Sequence, residues 1–194
     1  MNKNLFHIQN YVKMLENSLP RNVDYLLVCA SFEERCLSLT SPLHNITFSK
    51  VGIFYFDKFE EFSRKNIDKL SSHFKTDAIP LDYSNPVTIA DSLISFFDSD
   101  SVGEDKSVLI DISTFTRESL LISLRFFEFI KDKIPEIYLF YRAANVSRNL
   151  SDGVVGIRSV IGYMGDINIE DPLHLIILSG FEHERAKEII DTLE

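Results

Sequence analysis

The chain has 194 residues, and 20 Lys and Arg against 29 Asp and Glu give it a formal net charge of −9. Hydrophobic residues make up 45% of the sequence and Phe occurs 16 times, which is enough for a substantial core and excludes disorder as the main state. An acidic chain without a basic run lacks the positive stripe needed to bind a long nucleic acid. A small anion is still compatible with this charge, because one arginine and a few backbone N–H groups can hold a phosphate.

The N-terminal sequence and the cysteine content bear on the compartment. Residues 1–13 lack the apolar stretch of a signal peptide, and no segment reaches the roughly 18 apolar residues that cross a bilayer, so we expect a cytoplasmic protein outside the membrane. Cys29 and Cys36 predict buried or half-buried thiols rather than a disulfide framework. The five histidines have no ligand spacing, so no metal site is predicted.

Short apolar runs alternate with longer amphipathic ones along the first half of the chain. Residues 1–20 are expected to form an N-terminal helical extension, with the helix itself over 4–18. The next predicted elements are a strand over Val23–Ala30, a helix over 32–40 capped by Ser31, a strand over Val51–Phe56, a helix over Glu60–Phe74 and a strand over Ala78–Tyr83. The first strand is continuously apolar, which indicates burial on both of its faces.

The second half of the chain continues the alternation. Asn85 is the predicted cap of a helix that has Pro86 in its first turn and ends near Phe97. The following predictions are a strand over Val108–Ile112, a helix over Thr116–Lys133, a strand over Glu136–Tyr141, a loop over 145–156, a strand or hairpin arm over Arg158–Met164, a strand over His174–Leu178 and a final helix over 181–194.

Buried strands that alternate with helices are typical of a mostly parallel sheet covered on both faces. The sequence therefore predicts an α/β fold, a Rossmann-like three-layer sandwich of five to seven strands, as one domain over residues 1–194. Such sheets bind ligands at the carboxyl ends of the strands where the strand order reverses, commonly between the first and fourth strands. One sheet with its helices accounts for all these residues, so any effector or catalytic partner is expected from another chain or from further sequence.

The loops after those two strands hold the candidate site. Residues 29–36 follow the first strand and residues 111–118 the fourth, and neither loop contains Gly. Dinucleotide and Walker-type phosphate loops need glycines, so both classes are disfavoured and no cofactor is predicted. The second loop has an Asp, three hydroxyls within four positions and an arginine in the first helical turn, a combination that suits a phosphate. The simpler alternative is that Ser113 or Thr114 only caps the helix.

One segment resembles a known family motif, which is an apolar strand, Asp, an apolar residue, Ser or Thr, two small residues, Thr, and then Lys or Arg. The segment is Val108–Arg117, VLIDISTFTR, and the motif is that of CRISPR-associated Rossmann-fold (CARF) sensor domains. Members of that family bind cyclic oligoadenylates, usually across a homodimer, and signal to an effector domain. The resemblance implies a homodimer or a subunit of a larger complex in a prokaryotic defence system. It also implies that ligand phosphate or ribose is contacted by Ser31, Ser113, Thr114, Thr116 and Arg117. Phe115 departs from the motif, which has a small residue there.

Three carboxylates at these loops support an alternative function. Glu33 and Glu34 follow the first strand and Asp111 closes the fourth. Two of them near a ribose or phosphate could act as nucleophile or general base in glycosidic-bond or phosphoribosyl chemistry. The alternative is therefore a nucleotide- or nucleoside-processing enzyme.

A short phrase with Phe, Glu and Arg follows two of the predicted strands, at residues 31–35 and again at 180–185. The simplest interpretation places the acids in the positive first turn of a helix, with the arginine paired to them along the helix. An internal duplication is the alternative.

Tyr141 ends the fifth predicted strand and Arg142 follows it. An aromatic ring beside a cation can stack on a nucleotide base, so Arg142 is a further candidate ligand residue; balancing nearby acids is the alternative. Together the patterns favour a sensor or regulatory module for a nucleotide-type, phosphate-bearing anion. The enzyme is the first alternative, and an interaction subunit without a ligand is the second.

Overall fold

A computed structural model describes residues 20–41, 46–98, 106–144, 158–165, 186–187 and 189–191. Within these ranges the strands are β1 (Asn22–Cys29), β2 (Thr47–Phe56), β3 (Ala78–Leu81), β4 (Ser107–Asp111) and β5 (Glu136–Phe140). The helices between them are α1 (Glu60–Phe74), α2 (Val87–Asp98) and α3 (Arg117–Phe129), with 3₁₀ helices over Glu34–Thr40 and Asp57–Phe59. Residues 186–187 and 189–191 are also helical.

The described strands form one sheet in the order β3-β2-β1-β4-β5, and every pairing in it is parallel. The chain builds outward from β1 to β3 and then returns to the other side of β1, so the strand order reverses between β1 and β4. At that boundary Val28 lies opposite Asp111. The predicted α/β fold with a Rossmann-like parallel sheet is confirmed, as is the position of the reversal.

Helices cover both faces of the sheet, because successive side chains of a strand point to opposite faces. On one face Val28 packs in a buried cluster with Ile67 of α1. On the other face the ring of Tyr25 lies 5.0 Å from the ring of Phe97 in α2, and Phe97 lies 5.5 Å from Phe127 of α3. The apolar side chains of β1 are therefore buried on both faces of the sheet, as the sequence predicted.

Two helices agree with their local sequence signals. α1 has the predicted bounds, and its buried residues recur at helical spacing: Ser63, Asn66, Ile67 and Leu70. At the start of α2, the side-chain oxygen of Asn85 accepts the N–H of Val87 at 3.2 Å, so the predicted cap is confirmed. Pro86 fits the first turn because its missing N–H would have no partner there.

The segment after β1 differs from the prediction. It forms a 3₁₀ helix that begins at Glu34, and the N-cap residue is Glu33 rather than Ser31. The hydroxyl of Ser31 accepts the N–H of Glu33 at 3.2 Å, while its carbonyl accepts a hydrogen bond from the Asn66 side chain at 2.8 Å. These contacts hold Ser31 in the loop, so the helix starts after it.

Two further ends differ from the prediction. β2 begins at Thr47, four residues early, because the added residues pair with β1. α3 ends at Phe129 rather than Lys133, since residues 130–133 form a turn that leads the fully buried Ile134 into the core. The proline after Ile134 disfavours helical backbone there, which agrees with the earlier end. The other strand and helix ends within the described ranges agree to within two residues.

The predicted strand or hairpin arm over Arg158–Met164 is wrong. Residues 158–165 contain no strand, and the N–H of Tyr163 donates to the carbonyl of Val160 at 3.0 Å in a turn. Gly162 has a φ of 85°, which suits the third position of a type II turn. The backbone therefore reverses here instead of extending.

Several predictions lie outside the described residues: the extension over 1–20 with its helix, the loop over 145–156, the strand over His174–Leu178 and most of the helix over 181–194. The chain divides into two compact units, Met1–Ala144 and Asn145–Glu194, and the single domain over 1–194 stays a prediction. Among the described residues, no helix combines the length and apolarity needed to cross a membrane.

Replacing Gly52 by Ala should destabilise the sheet. A Cβ at this buried position of β2 would lie 3.0 Å from the Phe54 ring, 3.1 Å from the Phe96 ring and 3.2 Å from Leu27. Overpacking of this kind should lower the free energy of unfolding by about 1–3 kcal/mol, measured by urea denaturation. Gly165→Ala is the control, because a Cβ there meets nothing within 4 Å. Equal effects of the two substitutions would contradict the packing described for β2.

Candidate functional site

The loops after β1 and β4 lie side by side at the carboxyl edge of the sheet. The two strands are parallel neighbours, so the residues that follow them emerge at the same edge. The hydroxyl of Thr114 donates to the carbonyl of Cys29 at 2.5 Å and joins the loops directly. The two segments that the sequence singled out therefore form one contiguous site.

Asp111 closes β4 with 0% of its surface exposed. Its Oδ1 accepts the N–H of Ser113 at 2.9 Å, whereas Oδ2 has no hydrogen-bond partner among the described residues. Burial raises the pKa of Asp111 to about 7, although hydrogen bonds from Ser113 and the charge of Arg35 act in the opposite direction. A buried carboxylate oxygen without a partner is costly, so the protonated form is favoured here far more than at a surface.

The hydroxyls of Ser113 and Thr114 are engaged within the protein. Ser113 Oγ accepts the backbone N–H of Arg142 at 2.8 Å, which ties the segment after β5 to the loop after β4. The hydroxyl of Thr114 donates to the carbonyl of Cys29, so neither hydroxyl caps α3. Arg142 is thereby brought to the other candidate residues through its backbone, and the residue itself is exposed.

Thr116 and Arg117 form the start of α3. Thr116 is the N-cap residue, and its Oγ1 accepts the N–H of Ser119 at 3.1 Å. Arg117 is the first helical residue and is exposed, with no ion pair or hydrogen bond to its side chain from any described residue. A cation at this position opposes the helix dipole, and a bound anion would reverse that effect.

Arg35 belongs to the same site, although sequence patterns alone did not select it as a functional residue. Its Nε and Nη2 donate to the two carboxylate oxygens of Glu33 at 2.8 and 2.9 Å, and its Nη1 donates to the carbonyl of Arg142 at 3.3 Å. Hydrogen bonding to Glu33 raises the pKa of Arg35. The Glu and Arg pairing expected from the repeated phrase is present at its first copy. The second copy, at 180–185, lies outside the described residues.

Ser31 and Glu34 flank this pair in the loop after β1. Ser31 is half-buried and Glu34 is exposed, as is Phe32, which has 64% of its surface accessible. Phe115, the departure from the CARF motif, is half-buried with its ring 6.5 Å from the ring of Phe54 in β2. Its side chain therefore contacts the core of the sheet.

A cavity of about 680 Å³ lies elsewhere, between β2, β3 and α2. Its lining includes Lys50, Asp91 and Phe96 but none of the candidate residues. The ammonium of Lys50 donates to the carbonyl of Phe96 at 2.7 Å and lies 4.6 Å from the centre of that ring. We place the candidate site at the polar loops, because they combine the reversal of strand order with a buried unpaired carboxylate oxygen and an exposed cation.

Metal and thiol chemistry have little support at the site. Within the described ranges, no three His, Cys, Asp or Glu side chains are grouped so that they could hold a metal ion. Cys29 and Cys36 are buried free thiols, and burial raises the pKa of both. Buried protonated thiols are poor nucleophiles, so neither cysteine is a candidate catalytic group.

Comparison with known proteins assigns no family to the chain. No protein-family model matches it, and no curated protein matches it. The assignment of the site therefore rests on its own geometry.

Replacing Asp111 by Asn should stabilise the protein relative to wild type increasingly as the pH rises from 5 to 8. Folding raises the pKa of this carboxyl from 3.8 to about 7, so the charged form carries a penalty in the folded state that grows with pH until about pH 7. The gain should reach at most about 4 kcal/mol, because each pKa unit corresponds to about 1.4 kcal/mol. Urea denaturation at unit steps of pH measures it.

Asp82→Asn is the control for this series. The pKa of Asp82 is lowered by hydrogen bonds from Ser84 and Asn85, so its titration is complete well below pH 5. Its effect on stability should stay flat from pH 5 to 8. A flat difference for Asp111→Asn as well would contradict the burial of that carboxylate.

Proposed function

We propose that this chain is a binding module for a nucleotide-type, phosphate-bearing ligand and works as a sensor or regulatory component. The ligand binds outside the carboxyl ends of β1 and β4, against the start of α3. Open parallel sheets bind ligands at such a reversal of strand order, because the two adjoining loops diverge there and leave a crevice.

The observation that carries the proposal is the exposed Arg117 in the first turn of α3, which has no ion-pair partner among the described residues. Three other arginines are instead paired within their own segments, Arg35 with Glu33, Arg64 with Glu60 and Arg125 with Glu128. A phosphate beside Arg117 would accept hydrogen bonds from the guanidinium and from backbone N–H groups of the helix start. The unfavourable interaction of Arg117 with the helix dipole would thereby be offset by its attraction to the anion.

The internal hydrogen bonds of the loop support the same function. Ser113, Thr114 and Thr116 each use their hydroxyl within the protein, which keeps the loop in one shape before a ligand arrives. A preformed loop reduces the ordering cost of binding. The CARF resemblance further implies that these hydroxyls and Ser31 contact phosphate or ribose directly. It also implies that the ligand is a cyclic oligoadenylate bound across a homodimer.

A catalytic function has weaker support from the geometry. Glu33 accepts hydrogen bonds from Nε and Nη2 of Arg35, and Asp111 has no exposed surface. A general base or nucleophile must reach the reacting atom within hydrogen-bond distance. Only Glu34 of the three candidate carboxylates is exposed.

Replacing Arg117 by Ala should weaken binding of the ligand by tenfold or more. A hydrogen bond to a charged group contributes about 1.5–3 kcal/mol, and 1.4 kcal/mol corresponds to a factor of ten in Kd. Isothermal titration calorimetry with AMP and with cyclic oligoadenylates measures the affinity, and native mass spectrometry reports the oligomeric state. Arg64→Ala is the control, since it removes an exposed helical arginine from α1 and should change Kd less than twofold.

The outcomes separate the three functions. Unchanged affinity in Arg117→Ala would reject the proposed site. Failure of wild type to bind any nucleotide, with assembly unchanged in the variant, would favour the interaction subunit. Turnover of a nucleotide by wild type that is lost in Glu33→Gln would favour the enzyme.

A further inference from the structure

We propose that Arg35 is a second cation of the ligand site, and that the carboxylate of Glu33 occupies the phosphate position on Arg35 until a ligand replaces it. This inference rests on the proposed function and names the group that the site selects, a phosphomonoester or phosphodiester with two oxygens able to face one guanidinium. Binding is an exchange of one anion for another, and no covalent bond changes.

The first step of the argument is the shape of the Glu33 and Arg35 pair. Two guanidinium nitrogens, Nε and Nη2, donate to two different carboxylate oxygens at 2.8 and 2.9 Å. This fork accepts two oxygens of a carboxylate or of a phosphate in the same geometry. Glu33 therefore marks an anion position that a phosphate can fill.

The second step is where the guanidinium lies. Arg35 belongs to the segment after β1, yet its Nη1 donates to the carbonyl of Arg142, which follows β5. In the sheet β4 separates β1 from β5, so the side chain of Arg35 passes over the carboxyl end of β4. That end carries Asp111 and the loop that leads to Arg117, so both cations follow neighbouring strands at the same edge of the sheet.

The third step is that water reaches the pair, so that a ligand can take the place of Glu33. The side chain of Arg35 is 20% exposed and that of Glu33 is 35% exposed. Water can solvate the released carboxylate, and a phosphate on Arg35 would replace both of the hydrogen bonds that Glu33 accepts. A released Glu33 can turn to solvent, whereas Arg35 keeps its hydrogen bond to the carbonyl of Arg142.

Glu33→Gln with Glu34→Gln as its matched control tests the exchange. Both substitutions remove one negative charge from adjacent positions, but only Glu33 is bonded to Arg35. Glu33→Gln should bind AMP at least fivefold more tightly than wild type, while Glu34→Gln should remain within twofold. Titration calorimetry at fixed ionic strength measures both values, and inorganic phosphate serves as a second probe without a nucleoside.

Arg35→Lys supplies an independent measurement. Lysine keeps the charge but loses the planar fork, so AMP should bind about tenfold more weakly than to wild type. In the double variant Glu33→Gln/Arg35→Lys the gain from Glu33→Gln should disappear. Circular dichroism and thermal unfolding of each variant confirm that the fold is retained.

The outcomes test the exchange on Arg35 separately from the proposed function. If wild type binds AMP and the two glutamine variants shift affinity equally, the exchange on Arg35 is wrong and the proposed function stands. If wild type does not bind but Glu33→Gln binds AMP or phosphate, the exchange is supported and the proposed function of the wild-type chain is rejected. If wild type and both glutamine variants fail to bind, both statements are rejected.

Discussion

Parallel pairing between β1 and β4 is the constraint on which the rest of the structure depends. With this pairing, β2 and β3 lie on one side of β1, and β4 and β5 lie on the other. The polar loops after β1 and β4 therefore emerge at one edge of the sheet. The hydrogen bond from Thr114 to Cys29 then joins residues 85 positions apart, and the one from Arg142 to Ser113 adds the segment after β5. Residues from three distant segments meet because β1, β4 and β5 are parallel neighbours whose carboxyl ends lie at the same edge of the sheet.

The electrostatics of this edge make the proposed binding of an anion compatible with an acidic protein. The chain carries a net charge of −9, but Arg35, Arg117 and Arg142 lie on the segments that follow β1, β4 and β5 at one edge of the sheet. Arg35 is neutralised by Glu33, and the charge of Asp111 is suppressed by burial. Local composition, rather than the overall charge, therefore determines what this edge can bind.

The same contacts support the proposed binding function more than a catalytic one. Glu33 is paired with Arg35 and Asp111 is buried, while the hydroxyls of the loop after β4 form hydrogen bonds within the protein. Such a site is ordered in advance and presents cations, which favours recognition over proton transfer. The resemblance of Val108–Arg117 to CARF domains agrees with this view and stays a prediction.

The sequence by itself determined the alternation of strands and helices, the bounds of α1 and the cap at Asn85. The reversal at β1 and β4 was expected from the strand order common in such folds, and the pairing of the strands confirmed it. Continuous apolar runs and helical spacing are properties of single segments, so they can be recognised without knowledge of the fold. Only the tertiary structure decided the loop role of Ser31, the early end of α3, the turn at Gly162 and the place of Arg35 in the site. Arg35 meets a carbonyl 107 residues away, and a contact of that kind depends on strand order, for which a local pattern carries no signal.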